Sequence, residues 1–219
     1  MTSDSAKEFG GVALDETATA GIQDGIFKYT YRGVPMLKCP FDIALYTRLI
    51  WDLKPKTLLE FGSKFGGSAL WFADILATFG LNDTILRSYD IRPVTAFKDP
   101  RIEFLEIDVS RPQDFLDAEA LDALPRPILV VEDSSHQYAH LRTLLNFLHP
   151  HLRKGDYLVI EDGILTQLGM AERYEGGPLR AIREFLELHG SHYEIDRELC
   201  DAFGRNVTWN VEGYLKRTA

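Results

Sequence analysis

Short apolar runs of strand length alternate along the chain with longer stretches of helical spacing. The runs are "KTLLEFG", "TILRSYD", "RIEFLEID", "RPILVVED" and "GDYLVIED", and each carries an acid at or near its end. A helix is predicted from about Phe41 to Leu53, with Ile43, Leu45, Tyr46, Leu49 and Ile50 on one stripe and Asp42 in the first turn. "GSALWFADILATFG" reads as an apolar helix stopped by Gly80, and "PLRAIREFLELHG" as one with Gly190 at its C′ position. "RPQDFLDAEALDAL" and "AHLRTLLNFLHPHL" supply two more helices, and "HYEIDREL" and "NVTWNVEGYLKR" close the chain with period-2 patterning. Pro35, Pro40 and Gly33 break regular structure in "GIFKYTYRGVPMLKCPFD". Residues 1 to about 25 are small and polar and read as a flexible arm ahead of one domain, 26–219. The expected fold is α/β: a mostly parallel seven-stranded sheet with helices on both faces and an antiparallel pair at one edge.

Composition narrows the function. The chain of 219 residues is 45% apolar and 26% charged, ordinary for a globular protein long enough to bury one good core. Its net charge of −9 leaves no basic footprint for nucleic acid. Cys39 and Cys200 are too few for a disulfide framework, which fits a reducing cytoplasm. The polar, acidic N-terminus lacks the layout of a signal peptide, and no apolar run nears the ~18 residues of a membrane span. The expectation is a cytoplasmic protein with a small-molecule partner, and neither nucleic acid nor membrane.

"LLEFGSKFGGSALW" falls at the first strand-to-helix turn, where open α/β sheets bind ligands. Gly62, Gly66 and Gly67 allow close backbone approach, and the helix N-terminus offers free N–H groups. A dinucleotide fingerprint needs glycine where Lys64 stands, and a phosphate-binding loop needs Gly-Lys-Ser/Thr rather than Gly66-Gly67-Ser68. A ligand with an ammonium, a carboxylate and a ribose but no phosphate remains, and S-adenosylmethionine meets that description. Glu60 would face its ammonium, Asp90, about 30 residues on, its ribose diol, and Asp108 its adenine edge. A tight turn followed by solvated acids would place the same residues. An acid at the end of five successive strands makes coincidence the weaker reading.

"EDSSH" and "VIEDG" follow the fourth and fifth strands, neighbours in a doubly wound sheet at a spacing of about 5 Å. Asp133, Glu161 and Asp162 would converge at the edge where the glycine loop sits. At ~4 Å and an effective dielectric near 20, each like-charge pair costs on the order of 4 kcal/mol. Such acids must protonate, splay into water or bind a cation. An all-oxygen set suits a hard ion, Mg²⁺ first, with Ca²⁺ or Mn²⁺ as alternatives. His136, three residues after Asp133, is placed to take a proton from a hydroxyl held there, since imidazole titrates at about 6.5. Spacing alone leaves it open between a base and a solvated residue at a helix start, with Ser134 or Ser135 as the cap.

"GVPMLKCPFD", "EFGSKFGGSALWFA", "VVEDSSHQYAH", "GDYLVIEDG", "GGPLRAIREFL" and "GYLKR" together resemble the cephalosporin hydroxylase family over roughly residues 26 to 217. Despite its name, that family is similar to S-adenosylmethionine-dependent, metal-assisted O-methyltransferases of natural-product pathways, including macrolide-sugar enzymes. The resemblance implies a Rossmann-like class I methyltransferase fold acting on a hydroxyl of a natural product or sugar. It implies Asp133, Glu161 and Asp162 as metal ligands and His136 as general base. It further implies a cofactor site lined by Glu60, Gly62, Ser63, Gly67, Ser68 and Asp90, with Lys38 and its "KCPFD" segment folded over it. A homo-oligomer is expected from the family alone. Two rivals stand beside this reading: a silent S-adenosylmethionine-binding subunit, and a metal-dependent oxygenase. The oxygenase lacks its expected H-x-D/E pair, since Gln137 and Tyr138 follow His136.

Overall fold

In the computed structural model, which describes residues 9–219, the chain opens with helix α1 (Glu16–Ile26) and a minimal hairpin, β1 (Thr30–Tyr31) with β2 (Val34–Pro35). Helices and strands then alternate through α2 (Pro40–Leu53), β3 (Thr57–Phe61), α3 (Gly67–Thr78), β4 (Ile85–Asp90) and β5 (Glu103–Glu106). The series continues with α4 (Ala118–Asp122), β6 (Ile128–Glu132), α5 (Tyr138–Leu148), β7 (Tyr157–Ile160) and α6 (Gly177–His189). Strand β8 (Tyr193–Ile195), the single turn α7 (Arg197–Cys200) and β9 (Tyr214–Arg217) complete it.

One seven-stranded sheet takes the order β5-β4-β3-β6-β7-β9-β8. The first five strands are parallel, while β9 runs antiparallel to both β7 and β8. The apolar runs are continuous because both faces are covered. Leu59, Phe61, Val130 and Ile160 pack into the core on one side, and Leu58, Leu129, Val131 and Val159 into the core on the other. Between β3 and β6 the strand order reverses, so the loops that follow them part and leave a crevice at the strands' C-terminal edge.

Three expectations need correction. The arm over residues 1 to about 25 lies outside the described residues for 1–8, and beyond that it includes a packed helix. Asp15 caps α1, its Oδ1 accepting from Ala18 N–H at 2.7 Å, and Ile22 and Ile26 enter a third apolar cluster with Ile164, Leu179 and Trp209. Two apolar residues one turn apart, among threonines, alanines and glycines, gave little helical signal. "RPQDFLDAEALDAL" is one 3₁₀ turn and the five residues of α4 rather than a long helix. "NVTWNVEGYLKR" is a strand only from Tyr214. Upstream, Val207, Trp209 and Val211 are buried, and the alternating Asn206, Thr208, Asn210 and Glu212 are buried too. The period-2 signal there reflects a buried polar network instead of a half-exposed strand.

Asp42, at the start of α2, is the hub of that network. It is 1% exposed and accepts from the Thr208 hydroxyl, from Trp209 N–H at 3.0 Å and from the Tyr214 hydroxyl at 3.2 Å. Among the described residues no helix is long and apolar enough to cross a membrane. Burial pushes the Asp42 carboxyl up to about 6, against the pull of its three donors. Between the unfolded value near 4 and about 6 the native state binds more protons, so the Asp42 contribution to stability is lost as pH rises through that window. Urea unfolding should show Asp42→Ala less stable by roughly 2–5 kcal/mol, since three buried donors lose their acceptor. Between pH 4 and 6 the wild type should lose stability with rising pH relative to Asp42→Asn, which has nothing to titrate there; parallel profiles would refute the assignment.

Candidate active site

The loop after β3 is shaped by glycines with separate jobs. At Gly62, φ is +111° and a Cβ would lie 2.0 Å from the carbonyl oxygen of Asp133, so only glycine lets this loop touch the end of β6. Gly62 and Ser63 donate their N–H groups to Tyr89 O at 2.7 and 3.0 Å. A Cβ on Gly67 would meet Pro35 O at 2.2 Å, which brings the segment leading to Lys38 down onto the loop. Gly66, at φ +84°, is the N-cap of α3 and carries no side-chain cap, leaving N–H groups of the first turn open to a ligand.

A cleft of roughly 490 Å³ runs along this edge, a volume that fits a small-molecule site. Gly62, Ser63, Gly67, Ser68, Asp90 and Asp108 line it. Gly66 does not; it sits behind the loop against Val94 and Phe97. Glu60 lies under the floor, fully buried, with Oε2 accepting from the Ser88 hydroxyl and Oε1 without a hydrogen-bond partner. Burial raises its pKa. Ser63 hydrogen-bonds Ser88 at 2.6 Å, so its hydroxyl serves the loop as well as the cleft. Asp90 braces the loop through Lys64 N–H at 2.8 Å and Arg92 N–H at 3.0 Å, while Asp108 is committed to Ser110 and to Arg111, whose Nε is 3.0 Å away.

The acids meet at the ends of β6 and β7, which pair in register from Leu129 with Tyr157 to Glu132 with Ile160. One ligand atom from each of Asp133, His136 and Asp162 lies within 4.8 Å of the others, a spacing that can hold a cation. His136 Nε2 is 3.3 Å from Asp162 Oδ2 and 4.0 Å from Asp133 Oδ1. His136 and Asp162 both adopt left-handed backbone, φ +57° and +60°. Glu161 departs from the expected trio. It sits deeper, because successive residues of an extended chain point to opposite sides, and its Oε1 accepts from Lys38 Nζ at 2.5 Å and the Tyr46 hydroxyl at 2.6 Å. Lys38 also donates to Asp133 Oδ2 at 2.6 Å. Its segment does fold over the loop, but its ammonium reaches the acids. Burial would lower the Lys38 pKa, yet the charges of Asp133 and Glu161 raise it above its ordinary value. Burial pushes Glu161 up and Lys38 opposes it; with an ammonium and a phenol donating to one oxygen, the ionised form fits the contacts.

Several residues here carried no local signal. Tyr46 read as one more apolar position of α2. Tyr174 stands edge-on to the His136 ring, centroids 5.9 Å apart, and His140 is drawn to the cleft by Ser135 Oγ at 2.9 Å. Neither serine caps α5, whose N-cap is Gln137; Ser134 instead donates to Glu132. Phe27 and Tyr174 line the cleft. Tyr31 hydrogen-bonds Asp74, and Tyr138 is buried against Glu184. Trp209 forms a wall of the cleft with Gln23, to which its indole N–H donates at 2.7 Å.

Comparison with known proteins agrees with this geometry. Residues 24–218 match the family described as Rhamnosyl O-methyltransferase/CmcI. A rhamnosyl O-methyltransferase of Mycobacterium leprae (strain TN) is 32% identical over 193 residues, spanning 86% of this chain and 82% of the relative. An apo structure of CmcI superposes with a TM-score of 0.68 at 27% identity, covering 88% of this chain and 77% of that one. A structure of CmcI with Mg and SAM gives 0.66 at 25% identity, covering 88% and 78%. The sheet order, the glycine loop and the family match agree: the chain belongs to the Rhamnosyl O-methyltransferase/CmcI family.

Proposed function

We infer that the cleft holds S-adenosylmethionine along the glycine loop and directs its methyl group to a hydroxyl presented at the acid cluster. The chain is an S-adenosylmethionine-dependent, Mg²⁺-assisted O-methyltransferase acting on a sugar or other natural product, in keeping with its family. The observation that carries the placement is the contact of Gly62 with the Asp133 carbonyl, which sets the cofactor loop directly beside the acids.

The residues fit both groups. The N–H groups left open at the start of α3 suit the cofactor's carboxylate, and Asp133 and Asp162, close enough to share a cation, offer with the deeper Glu161 the carboxylate oxygens a hard divalent ion takes. When bound, S-adenosylmethionine supplies the electrophilic methyl group and Mg²⁺ a charge that acidifies and orients the acceptor hydroxyl. His136 takes the hydroxyl proton at Nε2, the ring atom that faces the acids, and Asp162 stabilises the imidazolium so formed. Tyr174 keeps that ring from turning away. Phe27, Leu165, Met170 and Trp209 give the far end of the cleft an apolar, partly aromatic wall suited to the ring faces of a sugar or macrolide. The buried free thiols of Cys39 and Cys200 fit a reducing cytoplasm as the compartment, and a homo-oligomer remains part of this proposal.

Calorimetry in EDTA should show S-adenosylmethionine binding, weakened in Asp90→Ala; its absence in the wild type would break the division between cofactor loop and acids. With a panel of hydroxylated glycosides, methyl transfer should need Mg²⁺ and should vanish in Asp133→Ala while the fold persists. Normal turnover of that variant in EDTA would remove the metal from the mechanism, and no turnover by the wild type on any acceptor would favour a silent binding subunit. His136→Ala should keep cofactor and Mg²⁺ binding and lose roughly 10²- to 10⁴-fold in turnover. A parallel loss of Mg²⁺ affinity would reassign His136 to holding the ion.

A further inference from the structure

Lys38 stands out because a fully enclosed ammonium is normally avoided. Its side chain is 3% exposed. The segment that bears it is pinned twice, by the close fit of Pro35 over Gly67 and by the start of α2 at Pro40. An ammonium has three donors and no acceptor, and here two of them reach Asp133 Oδ2 at 2.6 Å and Glu161 Oε1 at 2.5 Å. Tyr46 backs the same Glu161 oxygen at 2.6 Å. Lys38 therefore uses the inner oxygens of both acids. Asp133 Oδ1 is left on the outer side, toward His136 and Asp162.

Charge makes the same point. Three carboxylates share the cluster, and one ammonium leaves two negative charges, the complement of a single divalent ion. We propose that Lys38 is a fixed internal cation of the metal site: it neutralises one of the three acids, holds Asp133 and Glu161 in place when no metal is bound, and leaves room for one divalent ion. The cleft then stays assembled between metal-binding events. This rests on the acids being the Mg²⁺ site.

The test compares Lys38→Met, which keeps the length and loses the charge, with the wild type in EDTA and in saturating MgCl₂, by thermal unfolding and titration calorimetry. Wild type should bind one Mg²⁺ per chain and unfold at a moderately higher temperature in saturating Mg²⁺ than in EDTA, the shift that binding to the native state alone requires. Lys38→Met should unfold at a clearly lower temperature in EDTA, recover most of that loss in Mg²⁺, and bind Mg²⁺ on the order of tenfold or more tightly, because a like charge beside the ion is gone. The double variant Lys38→Met/Glu161→Gln should regain much of the stability in EDTA, since glutamine still accepts from Tyr46 and the cluster returns to the two negative charges of the wild type. It decides the matter if the single variant fails to fold. An equal loss in both conditions, or a double variant no more stable than the single, overturns the proposal. So does a drop in S-adenosylmethionine affinity in EDTA with the metal linkage unchanged, which would make Lys38 a cofactor contact. A wild type that binds no Mg²⁺ overturns the underlying metal reading, and this inference with it; a wild type that binds it while Lys38→Met shows unaltered linkage overturns this inference alone.

Discussion

The acids that close β6 and β7 emerge side by side because the two strands are hydrogen-bonded neighbours, with Glu161 N–H donating to Glu132 O at 2.9 Å and Asp133 N–H to Phe61 O at 2.8 Å. Backbone pairing on both sides denies the carboxylates the simplest escape from one another, which is to move apart. Left alone at ~4 Å, like charges of this kind would cost on the order of 4 kcal/mol per pair. The surrounding structure supplies opposite charge and donors instead. Lys38 and Tyr46 serve Glu161 from below, and His136 faces Asp162 from the side.

That arrangement reaches far from the cleft. Lys38 approaches the acids only if the start of α2 is held, and Asp42 holds it through Thr208, Trp209 and Tyr214. Trp209 in turn fixes Gln23 of α1. The C-terminal segment thus joins the N-terminal helix to the strand edge, which explains why residues 206–213 bury polar side chains at every second position. Their alternation answers to Asp42 of α2 at Thr208, to Gly10 and Gly11 ahead of α1 at Glu212 and Asn206, and to Tyr214 at Asn210, not to a neighbouring strand.

Much of this was legible in the sequence where a signal is local. Continuous apolar runs revealed parallel strands, and adjacency of the fourth and fifth followed from the doubly wound order, so Asp133 and Asp162 could be paired before any coordinates. Glu161 shows where that reasoning stops. "ED" specifies two acids at one strand end, but not that both line the cleft while only Asp162 comes within cation-holding distance of Asp133 and His136, because the left-handed turn at Asp162 re-aims its side chain. Lys38 and Tyr46 lie well over 80 residues from Glu161, and no spacing rule links them to it. The helix α1 was hidden for a related reason: its stability comes from Ile22 and Ile26 docking beside Trp209 and Ile164, a tertiary effect its own composition does not show.

The two left-handed residues show how the site is held in readiness. Non-glycine residues at positive φ are held against a cost of order 1–3 kcal/mol each. Glycine would adopt the same turns at His136 and Asp162 without strain, but it would bring neither imidazole nor carboxylate. The strain is offset nearby: Ser134 ties the first turn back to Glu132, and the 3₁₀ turn after Asp162 is closed by Leu165 N–H on Asp162 O at 3.1 Å. Gly163, packed against Val211, then leaves that turn no room to relax, since even a Cβ there would lie 2.4 Å from a carbonyl oxygen. The His136 and Asp162 side chains, proposed to move a proton and to hold an ion, are therefore set by backbone that is already committed, and the glycine loop is registered to the same backbone through Gly62 and the Asp133 carbonyl. The subsites proposed for methyl donor and acceptor thus share one rigid seam, which would align methyl group and hydroxyl before either ligand arrives.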